Sequence, residues 1–110
     1  MYYKILNQEE IHNGLAYHDG LNTDPLPFNP SGDCEPGGIY FASAEQISRY
    51  LDYGPWIRTV EPVGEIYNEE GKSKAHEVIL GPRQRIEDVI LDICQDYTAL
   101  VSREWARGSS

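Results

Sequence analysis

The hydrophobic pattern is most regular near the C-terminal end of the chain, where apolar residues recur at intervals of three and four. Acidic residues occupy most of the intervening positions. This spacing places the apolar side chains on one face of a helix, as in an amphipathic helix that packs against a core. The apolar positions are Ile86, Val89, Ile90, Ile93, Cys94 and Tyr97. We expect a short continuation through Leu100 and Trp105.

Shorter runs rich in aromatic and β-branched residues predict strands. The predicted strands are 2–6, 38–42, 56–63, 65–67 and 75–80. A break at Pro62 or Gly64 separates the third strand from the fourth. The mixed segment 8–16 predicts a short helix, which Gly14 weakens.

A further helix is predicted directly after the strand 38–42. Ser43 caps its first turn, and Gln46 three positions later completes a capping box. Gly54 and Pro55 end it. Its buried stripe consists of Ala44, Ile47, Tyr50 and Leu51.

These elements predict an α+β fold in one domain over residues 1–107, followed by a disordered tail at 108–110. The expected architecture is a small, twisted, mainly antiparallel sheet with one mid-chain helix and one C-terminal helix.

The segment 17–38 is predicted to be one long loop. Its four prolines and its many Asn, Asp and Gly residues exclude a helix and favour turns. A loop of this length inside a domain is usually either functional or disordered. Leu21, Leu26 and Phe28 give it apolar side chains to bury, so we expect it to be ordered and to carry a site.

The formal net charge of −9 narrows the classes of partner. It argues against binding to a nucleic-acid phosphate backbone, which relies on clustered Lys and Arg. It permits a basic protein partner or mimicry of nucleic-acid charge, and it also serves solubility.

No apolar run approaches the roughly 18 residues of a membrane span, and the first residues do not resemble a secretion signal. We therefore expect no membrane association and a cytoplasmic location.

Metal and thiol chemistry are not favoured by the residue spacing. Possible ligands surround the loop, but their spacing matches neither zinc nor EF-hand sites, so no metal site is predicted. Cys34, with His18 as the candidate base, lies between Asp33 and Glu35, whose charges disfavour the thiolate. Cys94 is predicted to fill space in the core.

The residues Gly-Ile-Tyr-Phe-Ala at 38–42, followed by Ser43, resemble the central motif of ADP-ribosyltransferases of the poly(ADP-ribose) polymerase type. Gly20-Leu21 and the segment 60–67 extend this resemblance. It implies an ADP-ribosyltransferase-like fold and NAD as a ligand. It also implies that Tyr40 stacks on nicotinamide, that Ser43 lies near the hydroxyl position, and that Glu77 is the catalytic glutamate.

The chain departs from that family at two positions of its site. The first strand lacks the histidine that holds the ribose, and His12 could replace it only after a change of register. The position of the glutamate falls on either His76 or Glu77, and a shift of one residue turns the side chain to the other face of the sheet.

The segment 20–41, GLNTDPLPFNPSGDCEPGGIYF, also resembles an uncharacterised small domain of phages and large DNA viruses. This resemblance covers over twenty consecutive residues of unusual composition. It implies a viral origin and no particular mechanism.

Three functional hypotheses follow. The leading one is a phage-type accessory protein that binds a nucleotide such as NAD or ADP-ribose, or a host defence protein, in the host cytoplasm and without turnover. The second is an active mono-ADP-ribosyltransferase with Tyr40 and Glu77 as catalytic residues, and the third is an acidic charge mimic without a pocket. In the first, the long loop covers a cleft floored by Tyr40. The predicted ligand-binding residues are Asn22, Asp24, Asn29, Tyr40 and Ser43.

Overall fold

The computed structural model describes residues 1–31 and 36–94. Its elements, in chain order, are the strands β1 (Tyr2–Leu6), β2 (Ile11–His12), β3 (Leu15–Ala16), β4 (Gly20–Thr23) and β5 (Ile39–Ser43), a 3₁₀ helix (Ile47–Tyr53), the strands β6 (Trp56–Glu69), β7 (Lys72–Leu80) and β8 (Gln84–Arg85), and the helix α1 (Ile86–Ile93). The described part of the chain contains no helix with the length and apolar character that a membrane span requires.

Six strands form the main sheet in the order β4-β7-β5-β1-β6-β8. Strand β6 also pairs with β7, so the four strands β7, β5, β1 and β6 close into a ring of backbone pairing. Every pairing in this sheet is antiparallel. The predicted α+β class with a mainly antiparallel sheet is therefore confirmed.

Strand β6 closes the ring because it is long enough to pair with two neighbours in succession. Its first residues pair with β1 and the remainder with β7, and Val60 has a partner on each side, Tyr2 and Leu80. The register shifts between Val63 and Ile66, where Gly64 has a φ of 78°. A bulge with glycine at positive φ bends a strand without ending it. The predicted break into two strands is therefore wrong.

Two apolar clusters cover the two faces of the strands. Neighbouring strand residues such as Ile5 and Leu6 belong to different clusters, because successive side chains point to opposite faces. The cluster that includes α1 consists of Ile5, Ala42, Ile47, Ile57, Ile86, Ile90 and Cys94. The other consists of Leu6, Tyr17, Ile39, Phe41, Val60, Ala75, Val78 and Leu80. Cys94 is buried in the first, as predicted.

Helix α1 begins at Ile86, the first residue of the predicted apolar stripe. Its first turn carries Glu87 and Asp88, whose charges complement the positive end of the helix dipole. The predicted continuation through Tyr97, Leu100 and Trp105, the tail at 108–110 and Cys34 lie outside the described residues.

The segment 8–16 forms a hairpin of β2 and β3, and the predicted helix there is wrong. Asn13 and Gly14 form its two-residue loop with φ angles of 52° and 79°. Both central residues of a type I′ turn need positive φ, which explains the preference for Asn-Gly. The dipeptide was therefore the decisive signal, and Gly14 continues the chain into a second strand.

The predicted mid-chain helix is confirmed as a 3₁₀ helix over Ile47–Tyr53, whereas its predicted start at Ser43 is wrong. Ser43 is the last residue of β5, and its carbonyl oxygen accepts the Gln46 N–H at 3.0 Å. No side-chain hydrogen bond caps the helix. Ser43 continues the strand because it pairs with Tyr2 of β1, which overrides the local capping pattern.

The predicted loop 17–38 contains the strand β4, which pairs with β7 from Gly20 to Thr23. The expectation of one uninterrupted loop is therefore wrong. Leu21 and Leu26 are 53% and 48% exposed, so the apolar side chains expected to be buried there are not, and Phe28 is half-buried. Backbone pairing with β7, more than apolar burial, holds the first part of this segment.

Candidate functional site

A pocket opens where β1 and β5 separate. Their backbones pair only at Tyr2–Ser43 and Tyr3–Ala42, whereas β1 continues to Leu6 along β6. The pocket is lined by the last paired residues of the two strands and by the residues beyond them, and its volume is about 190 Å³. Pockets for drug-sized ligands have roughly 300–1,000 Å³. This pocket therefore suits one ring system, or the ring-bearing end of a longer ligand.

Aromatic and basic side chains line most of this pocket. The hairpin β2–β3 and the 3₁₀ helix supply walls beside β1 and β5, and Lys72 comes from the start of β7. Its described lining residues are Tyr3, Lys4, Ile5, His12, Asn13, Tyr40, Phe41, Ala42, Ile47, Tyr50, Tyr53 and Lys72. Four of them are tyrosines and three are basic residues, so the pocket offers aromatic faces together with positive charge.

All three lysines of the chain converge on Tyr40. Lys4 Nζ donates a hydrogen bond to the Tyr40 carbonyl oxygen at 2.7 Å. Lys72 Nζ and Lys74 Nζ lie 4.2 Å and 5.4 Å from the centre of the Tyr40 ring, within cation–π range. The Tyr40 hydroxyl donates to Glu69 Oε1 at 3.0 Å. In a chain with a net charge of −9, the lysines are thus concentrated around one tyrosine.

The glycine before β5 allows Lys74 to pack beneath Tyr40. Lys74 is fully buried, and it is the pairing partner of Tyr40 on β7. A Cβ atom on Gly38 would lie 2.8 Å from Lys74 Cδ. Gly38 therefore leaves the space that the aliphatic part of Lys74 occupies.

Burial and mutual repulsion lower the pKa values of two basic groups in the pocket, Lys4 and His12. Burial, with the nearby charge of Lys72, lowers the pKa of Lys4 to about 7. Burial also lowers the pKa of His12, and the charges of Lys4 and Lys72 lower it further. An anion bound beside Lys72 would offset the contribution of the neighbouring charges, whereas the larger effect of burial would remain.

Asn22 and Asp24, two of the predicted ligand-binding residues, hold the chain around β4. Asn22 is 2% exposed; its Nδ2 donates to the carbonyl oxygens of His18 and Gly20, and its Oδ1 accepts the His18 N–H. The Asp24 carboxylate accepts the N–H groups of Leu26 and Gly38 at 2.8 Å and 2.9 Å. Asp24 therefore ties the loop to the start of β5, and neither residue lines the pocket.

Asn29 also makes its contacts within the loop. Its N–H donates to the Gly37 carbonyl oxygen at 2.8 Å, and its Oδ1 accepts the Ser31 hydroxyl at 2.9 Å. It is not among the residues that line the pocket.

Ser43 and Glu77 are not among the residues that line the pocket. Ser43 is half-buried at the end of β5. Glu77 pairs with Thr23 and Val63, and its Oε2 accepts the Thr23 hydroxyl at 2.8 Å. Of the predicted site residues, the structure brings Tyr40 alone to this pocket.

Lys4, His12 and Lys72 were not predicted as site residues. The available signal was compositional, since the chain has only three lysines and Lys4 interrupts an otherwise apolar strand. His12 adjoins the Asn-Gly turn that directs the hairpin. Recognising that turn would have predicted a strand at His12.

Comparison with known proteins places the chain among viral proteins. No family model matches it, and no solved structure matches it. Uncharacterized protein R869 of Acanthamoeba polyphaga mimivirus is 34% identical over 97 residues, which cover 81% of this chain and 70% of that protein. The chain belongs to the R869 family. The predicted relationship to uncharacterised proteins of large DNA viruses is therefore confirmed.

The R869 family has relatives in longer proteins of the same virus. Putative ankyrin repeat protein R868 is 32% identical over 97 residues, covering 80% of this chain and 48% of R868. Putative ankyrin repeat protein R229 is 36% identical over 85 residues, covering 67% of this chain and 28% of R229. The chain thus spans about half of R868 and a smaller part of R229. The resemblance to ADP-ribosyltransferases stays a prediction.

Proposed function

We propose that this member of the R869 family is a viral accessory domain that binds an anionic aromatic ligand, such as a nucleotide, without turning it over. The observation that supports this most directly is the convergence of three lysines on Tyr40 beside a pocket lined by tyrosines. The ligand class matches the predicted NAD or ADP-ribose.

The two components of a nucleotide match the two kinds of lining residue. Aromatic faces stack on bases, and each stacked base contributes roughly 1–3 kcal/mol. Tyr53 is 58% exposed and makes an edge contact with Tyr50, with ring centres 5.5 Å apart, so one of its faces can receive a base without rebuilding the core. The ammonium group of Lys72 would attract the phosphate, and its partial burial strengthens that attraction.

The charge of the pocket favours binding over ADP-ribosyl transfer. Transfer passes through a ribosyl centre that develops positive charge, which a carboxylate stabilises. The described residues that line the pocket include no carboxylate, whereas they include Lys4 and Lys72. These cations would disfavour a positive centre and favour a bound anion. An active transferase with Glu77 would need a site elsewhere than this pocket.

A protein partner is the second candidate, supported by an apolar pair on the outer side of the sheet. Leu21 and Ile79 are pairing partners on β4 and β7, and they are 53% and 40% exposed. The relatives named as ankyrin repeat proteins extend well beyond the shared region. Ankyrin repeats are pairs of helices, and the described part of this chain is mainly strands. The described strands of this chain therefore do not correspond to ankyrin repeats, and the second candidate rests on the exposed pair of Leu21 and Ile79.

Calorimetric titration with AMP, ADP-ribose and NAD tests the leading proposal, with adenosine and inorganic phosphate as partial ligands. We expect AMP to bind more tightly than adenosine, because only AMP carries charge to the lysines. Tyr53→Ala should weaken AMP binding about tenfold or more, in line with the loss of one stacking contact. Tyr67→Ala is the matched control, since Tyr67 is half-buried on β6 and does not line the pocket.

Two results would count against nucleotide binding. One is the absence of heat for every nucleotide with a protein that is folded by circular dichroism. The other is an equal effect of Tyr53→Ala and Tyr67→Ala, which would place any binding outside this pocket. Either result would overturn nucleotide binding in this pocket. The first would also favour the protein-partner hypothesis, for which Leu21→Lys is the informative variant.

A further inference from the structure

We propose that Lys4 is a carbonyl-reactive residue that forms an imine with an aldehyde-bearing, anionic aromatic ligand in this pocket. The proposal deepens the proposed function, because it uses the same pocket and narrows the ligand class. It assigns a covalent role to Lys4 and leaves the electrostatic role to Lys72.

The position of Lys4 separates it from an ordinary surface lysine. It lies in the middle of β1, lines the pocket, and is 5% exposed. Its Nζ donates to the Tyr40 carbonyl oxygen at 2.7 Å and lies 5.1 Å from the centre of the Tyr17 ring. Because Lys4 and Tyr40 both line the pocket, this hydrogen bond holds the amine beside a lining residue.

Lys4 has no carboxylate counter-charge among the described residues, whereas its neighbour Arg58 has two. Arg58, its pairing partner on β6, forms ion pairs with Glu10 and Asp19. Among the described residues, no ion pair includes Lys4. A buried ammonium without a carboxylate is costly, so the neutral amine is favoured. The pKa of about 7 and the proximity of the Lys72 charge agree with this geometric argument.

A neutral amine has the lone pair that a nucleophile needs. Nζ attacks the carbonyl carbon of the ligand, and a carbinolamine forms. The carbon–oxygen bond then breaks, and the oxygen leaves as water with the two protons that the amine gives up. The product is a carbon–nitrogen double bond, and no oxidant or reductant is required. Once protonated, the imine nitrogen can donate to the Tyr40 carbonyl oxygen as Nζ does now.

The remaining lining residues define the ligand class. Lys72 would bind an anionic group, and its Nζ already lies 4.2 Å from the Tyr40 ring centre. Tyr50 and Tyr53 would hold a planar ring beside it. A phosphorylated aromatic aldehyde combines the three features, and pyridoxal 5′-phosphate is a convenient probe with all of them.

The test treats the full chain with limiting pyridoxal 5′-phosphate at pH 7.5, reduces the imine with cyanoborohydride, and locates the adduct by peptide mass spectrometry. Lys72 and Lys74 are internal controls in the same molecule. An ordinary lysine is neutral in only about one part in a thousand at this pH. We therefore expect Lys4 to be labelled about tenfold or more above Lys72 and Lys74, and Lys4→Arg to remove the preferred adduct.

Saturating AMP separates this proposal from the proposed function. Protection of Lys4 by AMP would support both. Binding of AMP with no preference for Lys4 in the labelling would overturn the carbonyl-reactive role and leave nucleotide binding intact. Preferential labelling of Lys4 by propanal, together with no AMP binding, would support the reactive amine and overturn nucleotide binding as the function of the pocket. Because the decisive comparison is made within the wild-type chain, misfolding of Lys4→Arg would not affect it.

Discussion

Glu10 and Arg58, 48 positions apart in the chain, form a two-point ion pair whose side chains are 8% and 5% exposed. Arg58 Nε donates to Glu10 Oε2 at 2.7 Å, and Arg58 Nη2 donates to Glu10 Oε1 at 3.1 Å. Arg58 Nη1 also donates to the Gly81 carbonyl oxygen. Glu10 immediately precedes the hairpin β2–β3, so this pair fixes the hairpin and its His12 to the sheet.

Replacing one member of this pair should destabilise the domain strongly. Glu10→Gln leaves the Arg58 guanidinium buried without its main counter-charge, and breaking a buried pair in this way costs about 3–5 kcal/mol. The free energy of unfolding in urea measures the loss. Glu87→Gln is the matched control, because it breaks the exposed pair with Arg85. It should cost far less, because solvent screens both the exposed pair and the interaction of Glu87 with the helix dipole. Similar losses in both variants would contradict the role assigned to burial.

Asn22 should prove to be a structural residue and not a ligand contact. Its side chain satisfies three backbone groups of His18 and Gly20 in a buried position. Asn22→Ala leaves these groups without their partner, which costs roughly 1–3 kcal/mol in urea unfolding. Asn29→Ala, which removes one hydrogen bond to the Ser31 hydroxyl, should cost less. Equal losses of unfolding free energy in the two variants would contradict the structural role that we assign to the buried Asn22 side chain.

Alanine substitutions at two glycines with positive φ test whether Lys74 packs closely against Gly38 beneath Tyr40. At Gly20, with φ of 85°, an added Cβ meets nothing within 4 Å, so Gly20→Ala reports only the backbone strain of about 1–2 kcal/mol. At Gly38, with φ of 141°, the added Cβ would be strained as well and would also crowd Lys74 Cδ at 2.8 Å. Gly38→Ala should therefore cost more in urea unfolding and should weaken AMP binding, whereas Gly20→Ala should leave AMP binding unchanged. A smaller loss at Gly38 than at Gly20 would refute the close approach.

Elements specified by local sequence were largely predictable. The apolar period begins helix α1 at Ile86, and the aromatic and β-branched content marks β1 and β5. The errors occurred where pairing with a distant strand decides the outcome. Ser43 has a capping pattern but pairs with Tyr2, and the segment around Asn22 has loop composition but pairs with β7. Propensity over a few residues is too weak to oppose a ladder of backbone hydrogen bonds.

The candidate site was predictable only in part for the same reason. Tyr40 was predicted as a site residue from the motif at 38–42, and it lines the pocket. Lys4 gave no motif, since a single lysine in an apolar strand usually reaches solvent. Its place in the pocket depends on where β1 separates from β5 and on which strand contributes Lys72. Both depend on how β7, β5, β1 and β6 pair into a ring, and the residues beside Lys4 in the sequence do not indicate this pairing.

Lys4 should make the stability of the domain depend on pH between about 7 and 9. Its pKa is about 7 in the folded state, below the value of about 10.4 for an exposed lysine. In this window the unfolded chain binds a proton at Lys4 that the folded chain does not, so the free energy of unfolding rises with pH. The contribution increases by about 2 kcal/mol from pH 7 to pH 9, and it is lost as the pH falls.

The difference between the wild type and Lys4→Met isolates this effect, because all other titrating groups are common to both proteins. Methionine keeps an unbranched stem of similar length in the pocket wall and removes the charge. The wild-type chain should gain stability relative to Lys4→Met as the pH rises from 7 to 9, measured by urea unfolding at each pH. Arg85→Met removes an exposed cation that stays charged throughout this range, so it should show no such trend. A constant difference between the wild type and Lys4→Met would show that Lys4 is charged in the folded protein, and the carbonyl-reactive role would then lose its chemical basis.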